Sequence, residues 1–433
     1  MLLLFSINLI SSQETLIKKV FSNRILSKSL QTMVVQALGQ ACAFITAILL
    51  ARHLEVSDYG YYIFGVTVAT ILAVVATMGA GGILARTWGK SDLTGYERDK
   101  ETFLVHNWYF KRGFAFIIIM IAAIIFYNHS ENNDNYIENF ALLFAVPFFM
   151  ANIFQSFFVA KRIVVIANLL QLGLRMIMLF LTVFFMLFYI ANTAMLVGCM
   201  MIFMTVYITK VWLLQTSKYS FESLKPTGSN LSFALMQWGL LLLSQVDILI
   251  LKGLSTLSDV AFYGVALQLG ALVSFVLNAV NSNVLSQIAD DYKNCSREEF
   301  QIKITSYTRI IFILSIFAIV GLIMCGYPIT LLYGNEYVIS YFIFCILMVG
   351  QIVNILSGCV ATILNMAGFE KTTCFAFYIA LAVNIIFGII FTIYGGVYGL
   401  AIASSLSMIY WNIHLLYKVV TKIKVNPTIF IFK

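Results

Sequence analysis

Twelve apolar segments, nearly all long enough to cross a bilayer, constrain this chain more than any other feature of its sequence. A membrane-spanning helix needs about 20 apolar residues, and lipid offers no hydrogen-bond partner to an open strand edge. The segments are too continuous for the alternating strands of a membrane barrel, so we predict an all-α integral membrane protein with about 12 transmembrane helices. They lie at roughly 30–50, 60–85, 113–128, 137–160, 164–190, 193–214, 231–251, 262–287, 308–331, 338–366, 373–394 and 396–417.

The basic residues indicate how these segments are oriented. If the N-terminus is cytoplasmic, 24 of the 27 Lys and Arg residues fall on the cytoplasmic side. Arg52 and Lys252 then lie outside, and Arg175 lies within a span. Cytoplasmic loops are enriched in Lys and Arg, so we predict a multi-pass protein of the cell inner membrane with both termini in the cytoplasm. The net charge of +8 reflects this topology, and nucleic-acid binding is not expected.

The spans divide six and six around a polar connector, TSKYSFESLKPTGSN. LLARHLEVSDYGYY leaves the first span, and the similar LILKGLSTLSDVAFYG leaves the seventh, which indicates two related halves in parallel orientation. Only 11% of the residues are charged, against about 25% in soluble chains, so no soluble domain is expected. The predicted parts are an N-terminal segment at 1–29, helical bundles at 30–215 and 231–418, a cytoplasmic linker at 216–230 and a tail at 419–433.

Six short motifs follow one another in a characteristic order. They are ARHLEVSDYGYY at 51–62, MGAGGILAR at 78–86, SQVDILIL at 244–251, GYPITLLYGNEY at 326–337, ILNMAGFEK at 363–371 and YGGVYGLAIA at 394–403. In these motifs, and over nearly the whole chain, the protein resembles the polysaccharide-biosynthesis oligosaccharide flippases, relatives of the multidrug and toxin extrusion exporters. The resemblance implies two six-helix bundles around a central cavity that alternates between inward-facing and outward-facing states.

The same resemblance implies a substrate. It is a lipid-linked oligosaccharide, a short glycan on a polyprenyl diphosphate carrier, destined for O-antigen, capsule or exopolysaccharide. Glycosyltransferases and a glycan polymerase are the partners that such a pathway implies. H+ or Na+ is a candidate coupling ion, and the sequence leaves the choice open.

Arg175 is the most informative single residue, because it lies about twelve residues, or roughly 18 Å, into the fifth predicted span. A charge near the middle of the bilayer costs at least ~2.5–3.5 kcal/mol, so such residues normally face a wet cavity or an anionic partner. A guanidinium binds phosphate oxygens bidentately, which suits a diphosphate. The alternative is a structural contact with a carbonyl or carboxylate of a neighbouring helix.

Uncharged amides form stripes on several predicted spans. Asn168 and Gln171 share a helical face with Arg175. Any one stripe serves equally well to hydrogen-bond helices together in lipid or to line a cavity, and the number of stripes favours a hydrophilic interior. The other stripes are Gln36 and Gln40; Asn152, Gln155 and Ser156; Asn278 and Asn281; and Gln351, Asn354 and Ser357.

Three further charged residues have two readings each. Asp247, the one acid predicted inside a span, either binds a coupling H+ or Na+ or stabilises the fold. Arg86 and Lys210, at the inner ends of the second and sixth spans, either draw a diphosphate towards the cavity or anchor their helices at the membrane surface.

Other functions have less support in the sequence. The four histidines are scattered, so no catalytic site, metal site or cofactor is expected. An exporter of drugs or metabolites driven by H+ or Na+ is the first alternative, although an arginine in the cavity disfavours cationic drugs. A membrane glycan polymerase or ligase is the second alternative, and the short predicted outer loops argue against such an enzyme.

Overall fold

The computed structural model describes residues 25–89, 95–130, 136–188, 193–216, 222–226 and 231–429. All regular structure in these ranges is helical, which confirms the all-α prediction. The N-terminal half contains α1 (Ile25–His53), α2 (Val56–Ala76), α3 (Ala80–Trp88), α4 (Gly95–Ser130), α5 (Tyr136–Leu142), α6 (Ala145–Ala160), α7 (Val164–Leu187) and α8 (Thr193–Thr216). The C-terminal half contains α9 (Leu231–Leu254), α10 (Leu257–Asn294), α11 (Arg297–Leu331), a 3-10 turn (Asn335–Tyr337), α12 (Val338–Ser357), α13 (Val360–Met366) and α14 (Glu370–Lys422).

Ten helices of the described chain are long and apolar enough to cross a membrane. One of these ten, α14, has 53 residues and contains two helical arms. Helix α10 is a further candidate, whose described apolar part is Leu257–Val273. Counting the two arms separately and adding α10 brings the ten to the twelve spans predicted, six in each half. The protein is therefore a multi-pass membrane protein built from two bundles.

The break inside α14 lies at Gly396, where the predicted eleventh and twelfth spans meet. Gly396 adopts φ 55° and ψ −141°, a conformation that residues with a side chain rarely adopt. The two arms fold back on each other and are in contact. Lys422 Nζ donates to Thr372 Oγ1 at 2.8 Å, and Ser407 Oγ donates to the Ala380 carbonyl at 2.7 Å. One continuous helical assignment thus contains a hairpin of two spans.

Several predicted boundaries differ from the structure. The predicted third span at 113–128 is only the second part of α4, because its charged N-terminal turns continue the same helix beyond the apolar run. The predicted tenth span at 338–366 is interrupted at Gly358, which adopts φ 74° between α12 and α13. Hydropathy reports where a helix is apolar, and helices also continue outside that region or break within it.

The linker between the halves is described only at residues 222–226, which run along α4. Asn107 Nδ2 donates to the Glu222 carbonyl and the Leu224 amide donates to the Leu104 carbonyl, both at 3.0 Å. Residues 1–24, 217–221, 227–230 and 430–433 lie outside the described residues, so the predicted N-terminal segment and linker stay predictions in most of their length.

The two halves pack together unevenly, and this leaves room for a cavity. Helix α2 packs against both α9 and α10 of the other half. Within the halves, α1 packs on α7, and α14 packs on both α9 and α12. Small residues let membrane helices approach closely. Close packing matters here because apolar side chains gain no more from contact with another helix than from contact with lipid.

Candidate functional site

A cavity of about 870 Å³ lies between the two halves. Helices α1, α6 and α7 form one wall, and helices α9, α10, α12 and α14 form the other. Most of its polar lining consists of amide and hydroxyl groups, with one basic and one acidic side chain among the described residues. The polar lining residues are Gln36, Gln40, Asn152, Gln155, Asn168, Gln171, Arg175, Ser244, Gln245, Asp247, Gln351, Asn384, Ser404, Ser405 and Ser407, together with the indole of Trp411.

Arg175 reaches this cavity from the middle of α7, where it is the twelfth of 24 residues. The guanidinium is half-buried, and its Nη1 donates to Gln40 Oε1 of α1 at 3.3 Å. Gly39 makes room for it, since a Cβ at that position would lie 3.2 Å from Nη1. Within the described chain no carboxylate forms an ion pair with Arg175, so its charge is not neutralised by the protein there.

The amides beside Arg175 pair with one another across helices. Gln36 Nε2 donates to Asn168 Oδ1 at 3.0 Å, which joins α1 to α7. Gln171 Nε2 donates to Gln155 Oε1 at 2.9 Å, which joins α7 to α6. Each pair leaves other donors and acceptors of the same side chains free to face the cavity. Both interpretations of the stripes therefore apply to these amides, because they hydrogen-bond helices together and also line the cavity.

Asp247 lies on the opposite wall and is only 5% exposed. Its Oδ2 accepts hydrogen bonds from Tyr263 Oη at 2.6 Å and Ser404 Oγ at 2.7 Å. Its Oδ1 accepts from Asn384 Nδ2 at 2.8 Å. Three helices, α9, α10 and α14, thus converge on one carboxylate that also lines the cavity. A carboxylate with hydroxyl and amide neighbours is a set of oxygens that can hold a proton or a hard cation.

The structure brings most of the predicted site residues to this cavity, and it separates a few from it. Asn354 does not line the described wall, although its Nδ2 donates to Gln351 Oε1 at 3.3 Å. Arg86 is exposed on α3 and stacks on the Phe233 ring at 4.5 Å. Lys210 is exposed and lines a separate groove formed by one face of α8. The side chains of Asn278 and Asn281 on α10 lie outside the described residues.

Several cavity residues were not predicted as site residues. Asn384 is a lone amide in an apolar run, and Ser404, Ser405 and Ser407 belong to an ASSLS segment. These four residues could have been found from the sequence, because each is a polar residue inside an apolar span. Trp411 carried no such signal, because an indole in a span reads as an ordinary interfacial residue. Its ring packs on Phe377 with centroids 4.7 Å apart.

No group of three or more His, Cys, Asp or Glu side chains that could hold a metal ion occurs in the described ranges. His106 is buried among aromatic rings, with the Trp212 ring centroid at 4.3 Å, and it does not line the cavity. The chemistry of the site is therefore that of its charged, amide and hydroxyl groups.

The fold is similar to that of solved transporters. It matches an inward-closed lipid II flippase MurJ with a TM-score of 0.67 and 16% identity, over 90% of this chain and 87% of that chain. It matches an inward-facing multidrug resistance MATE transporter of the MOP superfamily with a TM-score of 0.72 and 13% identity, over 91% of this chain and 98% of that one. A MOP superfamily transporter from Pyrococcus furiosus matches with a TM-score of 0.65 and 11% identity, over 92% and 94%. Similarity at these identities establishes the fold alone.

No curated protein matches the chain by sequence. A family model does match, and it covers residues 25–286, which is more than half of the chain and includes both Arg175 and Asp247. That family is described as polysaccharide biosynthesis protein. The chain, with its two membrane bundles and its polar central cavity, belongs to the polysaccharide biosynthesis protein family.

Proposed function

We propose that this protein is a flippase that moves a polyprenyl-diphosphate-linked oligosaccharide across the cytoplasmic membrane by alternating access. The product would serve the synthesis of a surface polysaccharide such as O-antigen, capsule or exopolysaccharide. Membership of the polysaccharide biosynthesis family and the transporter fold both support this proposal. The observation that carries it is Arg175, a mid-span cation without an acidic partner in the described chain, in a cavity of about 870 Å³ lined by amides.

Arg175 binds the diphosphate in this proposal. Its planar guanidinium has five N–H groups, and the described structure uses one of them on Gln40. The remaining donors suit the oxygens of a diphosphate, which take two parallel hydrogen bonds from one guanidinium. Because the site is partly removed from water, the attraction between the two charges is stronger there than at the membrane surface.

The amides and hydroxyls of the cavity bind the glycan. A sugar carries many hydroxyl groups, and each of them loses hydrogen bonds to water when it enters the membrane. Side chains such as Gln155, Gln171 and Ser244 replace those bonds, because amides and hydroxyls both donate and accept. The polyprenyl chain is apolar and stays in the lipid throughout.

Asp247 couples transport to an ion gradient in this proposal, with H+ or Na+ as the ion. Its carboxylate has hydroxyl and amide neighbours on α10 and on both arms of α14. Binding or release of a cation changes the charge at the point where those helices meet, and so biases how they pack. The distribution of Lys and Arg supports an inner-membrane location with both termini in the cytoplasm. Glycosyltransferases would then supply the substrate and a polymerase would consume it.

A deletion strain tests the proposal. Without the protein, lipid-linked repeat units should accumulate on the cytoplasmic leaflet and surface glycan should disappear. A plasmid copy of the native chain should restore both, and a copy with Arg175→Ala should insert into the membrane at normal levels without restoring export. Normal surface glycan in the deletion strain would contradict the proposal.

An exporter of small molecules driven by an ion gradient is the second candidate. The carboxylate of Asp247 in the cavity wall favours it, since an acid can hold a cationic solute. Substrate accumulation separates the two functions. An exporter mutant should retain small molecules in the cytoplasm and leave the lipid-linked repeat units unchanged.

A further inference from the structure

Two basic residues occupy the same position in the two halves of the chain and have no part in the proposed cavity chemistry. Arg52 lies in the last turn of α1, and Lys252 lies in the last turn of α9, 200 positions later in the related motif. Both helices are the first span of their half. Each basic side chain leaves its own half and contacts the other one.

Lys252 contacts the N-terminal half through an ion pair. Its Nζ lies 3.1 Å from Glu138 Oε2 in the first turn of α5. The Lys252 side chain is 20% exposed and that of Glu138 is 9% exposed, so water screens the pair only partly. The rings of Tyr61 and Phe64, also in the N-terminal half, lie 4.2 and 5.1 Å from the ammonium.

Arg52 contacts the C-terminal half through a helix end. Its Nε donates to the Leu332 carbonyl, and its Nη2 donates to the Leu331 carbonyl at 3.4 Å. These carbonyls belong to the last turn and the C-cap of α11, where the helix leaves its final carbonyls unpaired and its dipole is negative. Arg52 therefore caps a helix of the opposite half.

The layer between these two contacts is tightly packed. Gly60 on α2 approaches α10 so closely that a Cβ there would lie 2.1 Å from the Leu257 carbonyl oxygen. A Cβ at Gly264 would lie 2.4 Å from Ile63. The cavity does not reach this layer in the described structure, since its wall ends at Gln40 on α1 and begins at Leu267 on α10. The halves are thus closed together at the end that carries Arg52 and Lys252.

We propose that Arg52 and Lys252 are a reciprocal pair of latches that hold this end of the transporter closed and release when the cavity opens towards it. With the orientation given under the proposed function, on which this inference rests, this is the outer end. Each latch ties the first span of one half to an element of the other half. An outward-opening movement of the halves must break both contacts together, and the exposure of Arg52 and the partial exposure of Lys252 limit the free energy that each contact contributes.

A single cysteine in the cavity reports on the latches. Ser244→Cys suits this purpose, because Ser244 lines the cavity, is exposed, and donates only to the Leu241 carbonyl of its own helix among the described contacts. A membrane-impermeant maleimide added to intact cells labels this cysteine only when the outer end opens. The native chain, with its seven cysteines, measures the background.

In the reporter chain, Arg52→Ala/Lys252→Ala should raise the labelling rate about tenfold, which corresponds to ~1.4 kcal/mol. With Arg52 intact, Lys252→Glu alone should raise the labelling rate. The exchange Glu138→Lys/Lys252→Glu should lower it again, because it restores the ion pair with reversed charges, although it does not restore the ring contacts of the ammonium. Lys161→Gln is the matched control: Lys161 pairs with Asp99 at 3.2 Å inside one half, so the labelling rate should not change.

Inverted membrane vesicles complete the test. There the same reagent reaches the cavity from the cytoplasmic side. The latch variant, which is Arg52→Ala/Lys252→Ala in the reporter chain, should label more slowly than the reporter chain alone. If the latch variant labels at the same rate as the reporter chain in intact cells, and also at the same rate as the reporter chain in inverted vesicles, the latch proposal is wrong. If the latch variant instead labels faster in inverted vesicles and more slowly in intact cells, the latches stand and the proposed orientation is wrong. Labelling needs no substrate, so failure of the flippase function would leave this result unaffected.

Discussion

The two walls of the central cavity are chemically unlike, although they belong to related halves of one chain. The N-terminal wall carries Arg175 and the amide pairs around it, whereas the C-terminal wall carries Asp247 among hydroxyls and Asn384. At the closed end the halves are alike, with Arg52 and Lys252 at matching positions. In the middle they differ, since Ala47 stands 200 positions before Asp247.

This comparison separates movement from chemistry. Under the proposed alternating access, similar residues at the closed end suit two bundles that open and close against each other. Under the proposed function, the different residues in the middle let a single cavity hold the diphosphate on one wall and a cation on the other. The predictions below test whether the walls divide the work in this way.

Loss of the basic wall should have the largest effect. Arg175→Ala removes the charge to which the proposed function assigns diphosphate binding. We expect export to fall on the order of 100-fold, since truncating one partner of a buried, hydrogen-bonded charge pair costs about 2–5 kcal/mol. Surface glycan in the complemented deletion strain measures this. Arg175→Lys keeps the charge without the bidentate geometry and should recover part of the export. Full export by Arg175→Ala would remove Arg175 from the mechanism.

Loss of the acidic wall should change coupling more than binding. Asp247→Asn keeps the shape of the side chain and removes its charge, so we expect export to fall roughly tenfold, the effect of about 1.4 kcal/mol. In vesicles, the remaining transport should no longer respond to an imposed H+ or Na+ gradient. A retained response to both gradients would assign the coupling to another residue.

The amide pairs should contribute less than either charge. Gln155→Leu/Gln171→Leu replaces both partners, so the free energy of unfolding should change by less than about 1 kcal/mol. Export should fall roughly three- to tenfold, because neutral hydrogen bonds contribute about 0.5–1.5 kcal/mol each. Asn354→Leu is the control, since Asn354 does not line the described cavity wall. Equal losses in both variants would favour a purely structural role for the amides.

The smallest effect is expected at the surface cation Arg86. It is exposed on α3 and stacks on Phe233, so Arg86→Gln should change export by less than about twofold, as is usual for an exposed charge. The same complementation measurement applies. A loss as large as that of Arg175→Ala would show that Arg86 takes part in substrate entry and would extend the basic wall to the rim.

Much of the fold was predictable from the sequence because lipid imposes local rules. Apolar length and closed backbone hydrogen bonding are read one segment at a time, and the twelve spans and their division into halves followed from them. The hairpin at Gly396 also fell where the sequence placed a boundary. The N-terminal turns of α4 and the break at Gly358 were missed, since neither alters the apolar content of a span by much.

For the site, the sequence determined which residues are costly in lipid and at what depth they lie, and this was sufficient to single out Arg175 and Asp247. The tertiary structure alone decided which of them meet. Asn384 and Ser404 reach Asp247 from two arms of α14 separated by a reversal of the chain. Arg86 and Lys210 stay away from the cavity wall. The reason is physical: depth follows from position along one helix, whereas contact depends on how each helix is rotated and crossed by its neighbours.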